Sequence, residues 1–179
     1  VSEAPPRCRC IMCRDYGDRD QQDALDARAI DNIRRYGWGV TMIPEDAQGP
    51  GWAYTIGLWH SHGTAELAMF GLDVNAMKAC LNNLAARAGT LGADQVHHEV
   101  IERHPVHLKP IDQRWYRAFF GRAMGFYRRP PVPFLQVVWP DRDGHFVGEP
   151  DADPALEHRQ PQLWRLPEEH PQGVWTQDL

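Results

Sequence analysis

Three thiols within six residues constrain this chain more than any other feature: Cys8, Cys10 and Cys13, in Arg7-Cys8-Arg9-Cys10-Ile11-Met12-Cys13-Arg14. Sulfurs two and three positions apart converge on one point only if the backbone turns tightly and irregularly. Neither a helix nor a strand is therefore expected there. A short loop of three thiols can wrap one soft ion, and zinc is the usual occupant. A structural zinc takes four ligands, so a fourth must come from elsewhere in the chain. His60, His62, Cys80 and the histidines of the C-terminal region are the available donors. Arg7, Arg9 and Arg14 flank the thiols and are expected to favour the thiolate. Two other uses of the same cluster stay open: a redox disulfide, Cys10–Cys13 or Cys8–Cys13, and a thiol-bearing arm with no ligand. An iron–sulfur cluster would need the same missing fourth ligand.

The rest of the composition narrows the class. The 179 residues suit one domain with tails, and the apolar share of 42% is enough for a core. The formal charge is −5 with both signs interspersed, so no basic stripe marks a nucleic-acid partner. No apolar run reaches the roughly 18 residues of a membrane span. Val1 to Pro6 do not resemble a signal peptide. Four cysteines do not make a disulfide framework, and clustered thiols of this kind fit a reducing compartment. The expected location is cytoplasmic, with no membrane and no nucleic acid among the partners.

Along the chain, Asp20 is placed to cap a helix in which Leu25, Ala29, Ile33 and Tyr36 recur at helical spacing, with Gly37 as its stop. Residues 38–43 and 52–58 read as two strands of a hairpin across a polar, Gly- and Pro-bearing loop. After the polar stretch 59–65, Glu66 to Phe70 reads as a third strand. Asp73 is a natural N-cap for a helix carrying Val74, Met77, Leu81, Leu84 and Ala88 on one face, closed by Gly89. Two short strands are expected between Gln95 and Ile111. A third helix follows from Asp112, with Trp115, Tyr116, Phe119, Phe120, Ala123 and Tyr127. Phe134 to Trp139 is the clearest buried strand, and Asp141-Arg142-Asp143-Gly144 should turn it back through residues 145–147. From Glu149 the chain is Pro-rich and polar, with isolated Trp164 and Trp175. The expected architecture is α+β: a single domain with a mainly antiparallel sheet and about three helices. Its parts are a Cys-rich arm over residues 1–18, a body over 19–148 and an extended tail over 149–179, packed on the body.

Two further constellations bear on chemistry. His60-Ser61-His62 followed by Glu66 resembles a His-x-His-x-x-x-Glu metal motif. On a strand, side chains at i and i+2 point the same way and can share an ion such as iron, manganese or zinc. The plainer alternative is a solvated polar loop. A histidine from this pair joining the thiols would give one site of three cysteines and one histidine. Tyr54, Thr55, Gln136, Trp139 and Asp141, with Glu66, could bind a small molecule between two strands, walled by Trp38, Trp52, Trp59 and Trp139. Core packing is the plainer account of those residues. Gly57 within a strand implies close approach of a backbone or a ligand. His97, His98, His104 and His107 are expected to be solvated. No phosphate loop and no Gly-x-Ser-x-Gly elbow is present.

Several segments together carry a family resemblance. They are Cys8-x-Cys10-x-x-Cys13-Arg14-Asp15-Tyr16-Gly17, Tyr36-Gly37-Trp38-Gly39-Val40, Ala53-Tyr54-Thr55-Ile56-Gly57-Leu58 and Glu66-Leu67. Gln136-Val137-Val138-Trp139-Pro140-Asp141 with Gly144 and Phe146, and Gln160-Pro161, complete the set. Over roughly residues 8 to 163 the chain resembles the bacterial family known as domain of unknown function 4262. It departs from that family's pattern at Ala65, where a proline is usual, and at Val147-Gly148, where a Pro-Trp pair is usual. The resemblance implies a bacterial, actinobacterial-type soluble protein and carries no activity with it.

Two functions from different classes follow as expectations. One is a small zinc-binding protein, its ion pinning the arm to the body, with a Trp-lined cleft for a small molecule or a protein or peptide partner. The other is a metal-dependent enzyme, a hydrolase or an iron/dioxygen oxidoreductase, using the cysteines or His60, His62 and Glu66. A split-barrel-like flavin binder is a weaker third.

Overall fold

The structure is a computed structural model, and it describes residues 8–18, 21–128 and 132–177. Six strands form one sheet in the order β1-β2-β3-β6-β5-β4. They are β1 (Gly39–Ile43), β2 (Trp52–Ile56), β3 (Glu66–Phe70), β4 (Val96–His97), β5 (Val106–Pro110) and β6 (Phe134–Val138). Every adjacent pair is antiparallel except β3 and β6, which run parallel with Glu66 opposite Phe134 and Ala68 opposite Gln136. The expected α+β class and mainly antiparallel sheet hold.

The two central strands are buried at every position. Both faces of the sheet are therefore covered, as continuous apolar strands require. On one face α3 (Val74–Ala85) lays Met77, Leu81 and Leu84 against Ala53, Leu67, Met69, Leu135 and Val137. Each of the buried Leu, Met and Val side chains among these contributes about 1.5–3 kcal/mol. The Asp73 carboxylate accepts the N–H groups of Asn75 and Ala76, the cap expected from sequence. The other face is aromatic: Tyr54, Phe70 and Phe134 pack against Trp115, Tyr116, Phe119, Phe120 and Phe126. Phe120 and Phe134 stack with centroids 4.3 Å apart.

The helices differ from expectation in instructive ways. The cap expected at Asp20 lies outside the described residues; α1 (Ala24–Tyr36) is capped by Asp23, whose carboxylate accepts from the Asp26 N–H at 2.8 Å. Gly37 closes α1 as expected, but Leu25 and Tyr36 are solvent-exposed and only Ile33 of that stripe is buried. The third helix is broken into a 3-10 turn at Gln113–Trp115, α4 (Tyr116–Phe119) and α5 (Gly121–Tyr127). The break lets aromatic residues from successive segments face the sheet together. A short helix not expected from sequence, α2 (Leu58–His62), fills the stretch between β2 and β3.

Residues 145–147 do not return as a strand. The Asp141 carboxylate instead accepts the N–H groups of Asp143, His145 and Asp153, each at 2.9 Å. Those donors are no longer free for a ladder. Beyond them α6 (Ala155–Arg159) and two 3-10 turns interrupt the C-terminal segment. Leu163 and Trp175 from this segment are buried in the aromatic core.

Candidate metal centre

The arm docks on the aromatic face. Cys10 and Ile11 are buried, and the Ile11 N–H donates to the Phe126 carbonyl at 3.0 Å. Arg128 pairs with Asp18 and lies over the Tyr16 ring, 5.2 Å from its centroid. A tight turn follows Cys10, whose carbonyl accepts the N–H groups of Cys13 and Arg14, both at 3.0 Å. This turn is what brings sulfurs three residues apart to one side.

His60 meets them from the body. Its Nδ1 is 3.3 Å from the Cys10 Sγ and 3.3 Å from the Cys13 Sγ. One ligand atom from each of Cys8, Cys10, Cys13 and His60 lies within 4.8 Å of all the others, so the group could hold a metal ion. A tetrahedral zinc with ordinary bond lengths sets S···S edges of about 3.8 Å and S···N edges of about 3.6 Å. The two His60–sulfur distances of 3.3 Å are close to that S···N edge, and the donor set suits a borderline-soft ion. Burial lowers the His60 pKa and so favours neutral imidazole, the ligating form.

At Cys8 and Cys10 burial outweighs the effect expected of Arg9 and Arg14. Arg7 lies outside the described residues. Burial dominates at Cys8 and Cys10 and pushes both thiols up, Cys10 far above its ordinary value. A buried thiolate without a cation is costly, so a bound cation is what would offset that cost.

The other proposed donors are elsewhere. His62 is solvent-exposed two residues further along α2, with its Nε2 near Gly37. Positions i and i+2 of a helix diverge, whereas the shared-ion reading needed a strand. Among the described residues no group of donors combines His60, His62 and Glu66. Cys80 belongs to the α3 core on the opposite side of the sheet, with its Sγ 3.6 Å from the Val100 carbonyl.

Glu66 is fully buried at the start of β3 and faces inward. Its Oε1 accepts the N–H groups of Gly57 at 2.8 Å and Trp59 at 3.1 Å, and the Tyr127 hydroxyl. Its Oε2 accepts the Thr55 hydroxyl at 2.5 Å. Burial pushes the Glu66 carboxyl up to about 7, against the pull of these four donors. A carboxyl raised from 4.5 to about 7 on folding leaves its full stability in place below pH 4.5 and loses it as pH rises through 7. The loss from this group is about 3 kcal/mol. Unfolding of wild type and Glu66→Gln between pH 4.5 and 8 should therefore show a flatter profile in the variant. Parallel profiles would rule the effect out.

The residues expected to line a cleft are tied up within the fold. Gln136 donates to the Pro161 carbonyl at 2.7 Å and accepts the Leu163 N–H at 3.2 Å. Trp139 donates its indole N–H to the Phe70 carbonyl at 2.7 Å. Thr55 bonds Glu66 and Leu67, Asp141 holds its turn, and Tyr54 is packed against Phe120. The four tryptophans do not share a wall. Trp38 and Trp139 pack on the α3 core, whereas Trp52 and Trp59 pack on the aromatic one. A groove of about 300 Å³ does run along Ile43, Pro44, Trp52, Phe119 and Trp175, but none of the expected polar residues lines it. Gly57 is explained by backbone approach: a Cβ there would stand 2.8 Å from the Gly37 carbonyl oxygen and 2.8 Å from the Trp38 Cα.

Tyr127 is a site residue that sequence reasoning assigned only to a helix stripe. Nothing in the sequence marks its hydroxyl, because its partner Glu66 is 61 residues away.

Fold and site define a class: an α+β protein built on one sheet, with a three-cysteine, one-histidine group that could hold a metal ion. The chain belongs to the family described as Domain of unknown function (DUF4262), whose profile matches residues 32–153. That stretch contains His60 and Glu66 and begins after the cysteine arm. No curated protein and no solved structure matches the chain. Among the described residues no helix is long and apolar enough to cross a membrane.

Proposed function

We propose that the chain is a zinc-binding protein whose ion fastens the N-terminal arm to the sheet through Cys8, Cys10, Cys13 and His60. The observation that carries the reading is the position of the His60 Nδ1, 3.3 Å from two sulfurs that the arm alone brings together. Three thiolates and one imidazole are a usual structural zinc set. Donors gathered this closely suit a single ion better than a cage of several irons. Four protein ligands also complete a tetrahedral shell and leave no position for water or dioxygen. That favours a structural role over the hydrolase and oxidoreductase alternatives.

Elemental analysis of protein purified under reducing conditions without chelator tests this. About one equivalent of zinc is expected in wild type and in His62→Ala, and little in Cys10→Ser or His60→Ala. Wild type free of metal, or retention in both ligand variants, would overturn the proposal.

A further inference from the structure

We infer that Glu66 and Tyr127 are positioning residues for His60: together they clamp the first turn of α2 and so aim its imidazole at the three thiols. The inference rests on the zinc reading above. It assigns a role to two buried side chains that donate no ligand.

A five-residue helix is too short to hold itself in water. The opening turn of α2 is instead held from outside by two side chains. The Glu66 Oε1 takes the N–H groups of Gly57 and Trp59 at 2.8 and 3.1 Å. The Tyr127 hydroxyl also accepts the Gly57 N–H, at 3.0 Å. The same hydroxyl donates to the Glu66 carboxylate. Two donor positions at the start of the helix, Gly57 and Trp59, are therefore fixed, the second directly preceding the ligand.

The clamp is anchored on both sides. Glu66 begins the central strand β3, where Thr55 locks its second oxygen and in turn accepts the Leu67 N–H at 2.9 Å. Tyr127 ends α5, and its neighbour Phe126 provides the carbonyl that holds Ile11 of the arm. One short segment, Phe126–Tyr127, thus touches both halves of the site: the sulfur-bearing arm through its backbone and the imidazole-bearing helix through its phenol. Ser61 adds a tie at the far side of α2, donating to the Gly37 carbonyl at 2.6 Å. Groups that orient a ligand from outside the first coordination sphere are commonly worth 10- to 100-fold in metal affinity.

The test uses the full chain, with zinc affinity by competition, the ligand-field spectrum of the cobalt-substituted protein and amide hydrogen exchange. Tyr127→Phe keeps the ring and removes the hydroxyl. It is expected to weaken zinc about tenfold or more, to shift the cobalt bands, and to speed exchange at Gly57 and Trp59 while β3 and β6 stay protected. Glu66→Gln keeps an acceptor for the two N–H groups and should bind zinc nearly as wild type does, whereas Glu66→Ala should bind it at least as poorly as Tyr127→Phe. If Glu66→Ala does not fold, Tyr127→Phe decides. A Tyr127→Phe protein that melts lower but keeps its zinc affinity and cobalt spectrum would show a merely structural hydroxyl and overturn the inference. Wild type without metal would overturn the zinc reading instead, and amide exchange would still report whether the clamp exists.

Discussion

Gly57→Ala is expected to lower the melting temperature by about 10 °C or more, corresponding to about 4 kcal/mol. Gly57 has φ +123°, a conformation that L side chains rarely adopt. A methyl group there would also stand 2.8 Å from the Gly37 carbonyl oxygen, the Trp38 Cα and the Ile33 Cγ1. Two of these three are backbone atoms that cannot swing aside. Relief would require the β1–β2 hairpin to part from the end of α1, and β1 is an edge strand with one partner only. The same residue gives its N–H to Glu66 and Tyr127, so displacement would loosen α2 as well. Thermal melts of the variant in chelator, set beside wild type in chelator, isolate this effect from the ion. A change of less than about 2 °C would contradict the geometry.

Chelation of the wild type is expected to have an effect of similar size by a different route. An ion bound at a thousand times its dissociation constant stabilises a protein by about 4 kcal/mol. In a chain of this length that is about 10 °C in melting temperature. The loss should stop short of complete unfolding, because the two cores on either side of the sheet contain no proposed ligand except Cys10 and, at the edge, Cys8. Cys10→Ser should start at the lower temperature and respond no further to chelator. A wild type whose melting is indifferent to chelator and to added zinc would remove the fastening role.

The sheet was legible wherever its cause was local. Phe134 to Val138 is a run of strand formers, and Asp73 with its helical stripe marks α3 without reference to the rest of the molecule. Gly37 as the stop of α1 is of the same kind. What escaped had distant causes. The stretch around His60 is polar and aperiodic, and its helix is held by Glu66 and Tyr127, which are remote in sequence. Without that helix His60 and His62 looked equivalent; with it, one imidazole meets the thiols and the other faces water. Thr55, Gln136 and Asp141 read as ligand contacts because their polar atoms had no visible partner. Their partners are side chains and turns elsewhere in the chain, among them Pro161, Leu163 and Asp153. The parallel pairing of β3 with β6 was equally hidden, since an apolar strand does not announce its direction.

That parallel seam has a consequence during synthesis. The strand carrying Glu66 leaves the ribosome well before its neighbour Phe134–Val138, so the early meander β1-β2-β3 is born with a bare apolar margin. Closing so long a loop is slow, and an unpaired strand edge invites other chains in the interval. The nascent polypeptide is most exposed to self-association in that window, and the hazard ends only when Val138 has emerged.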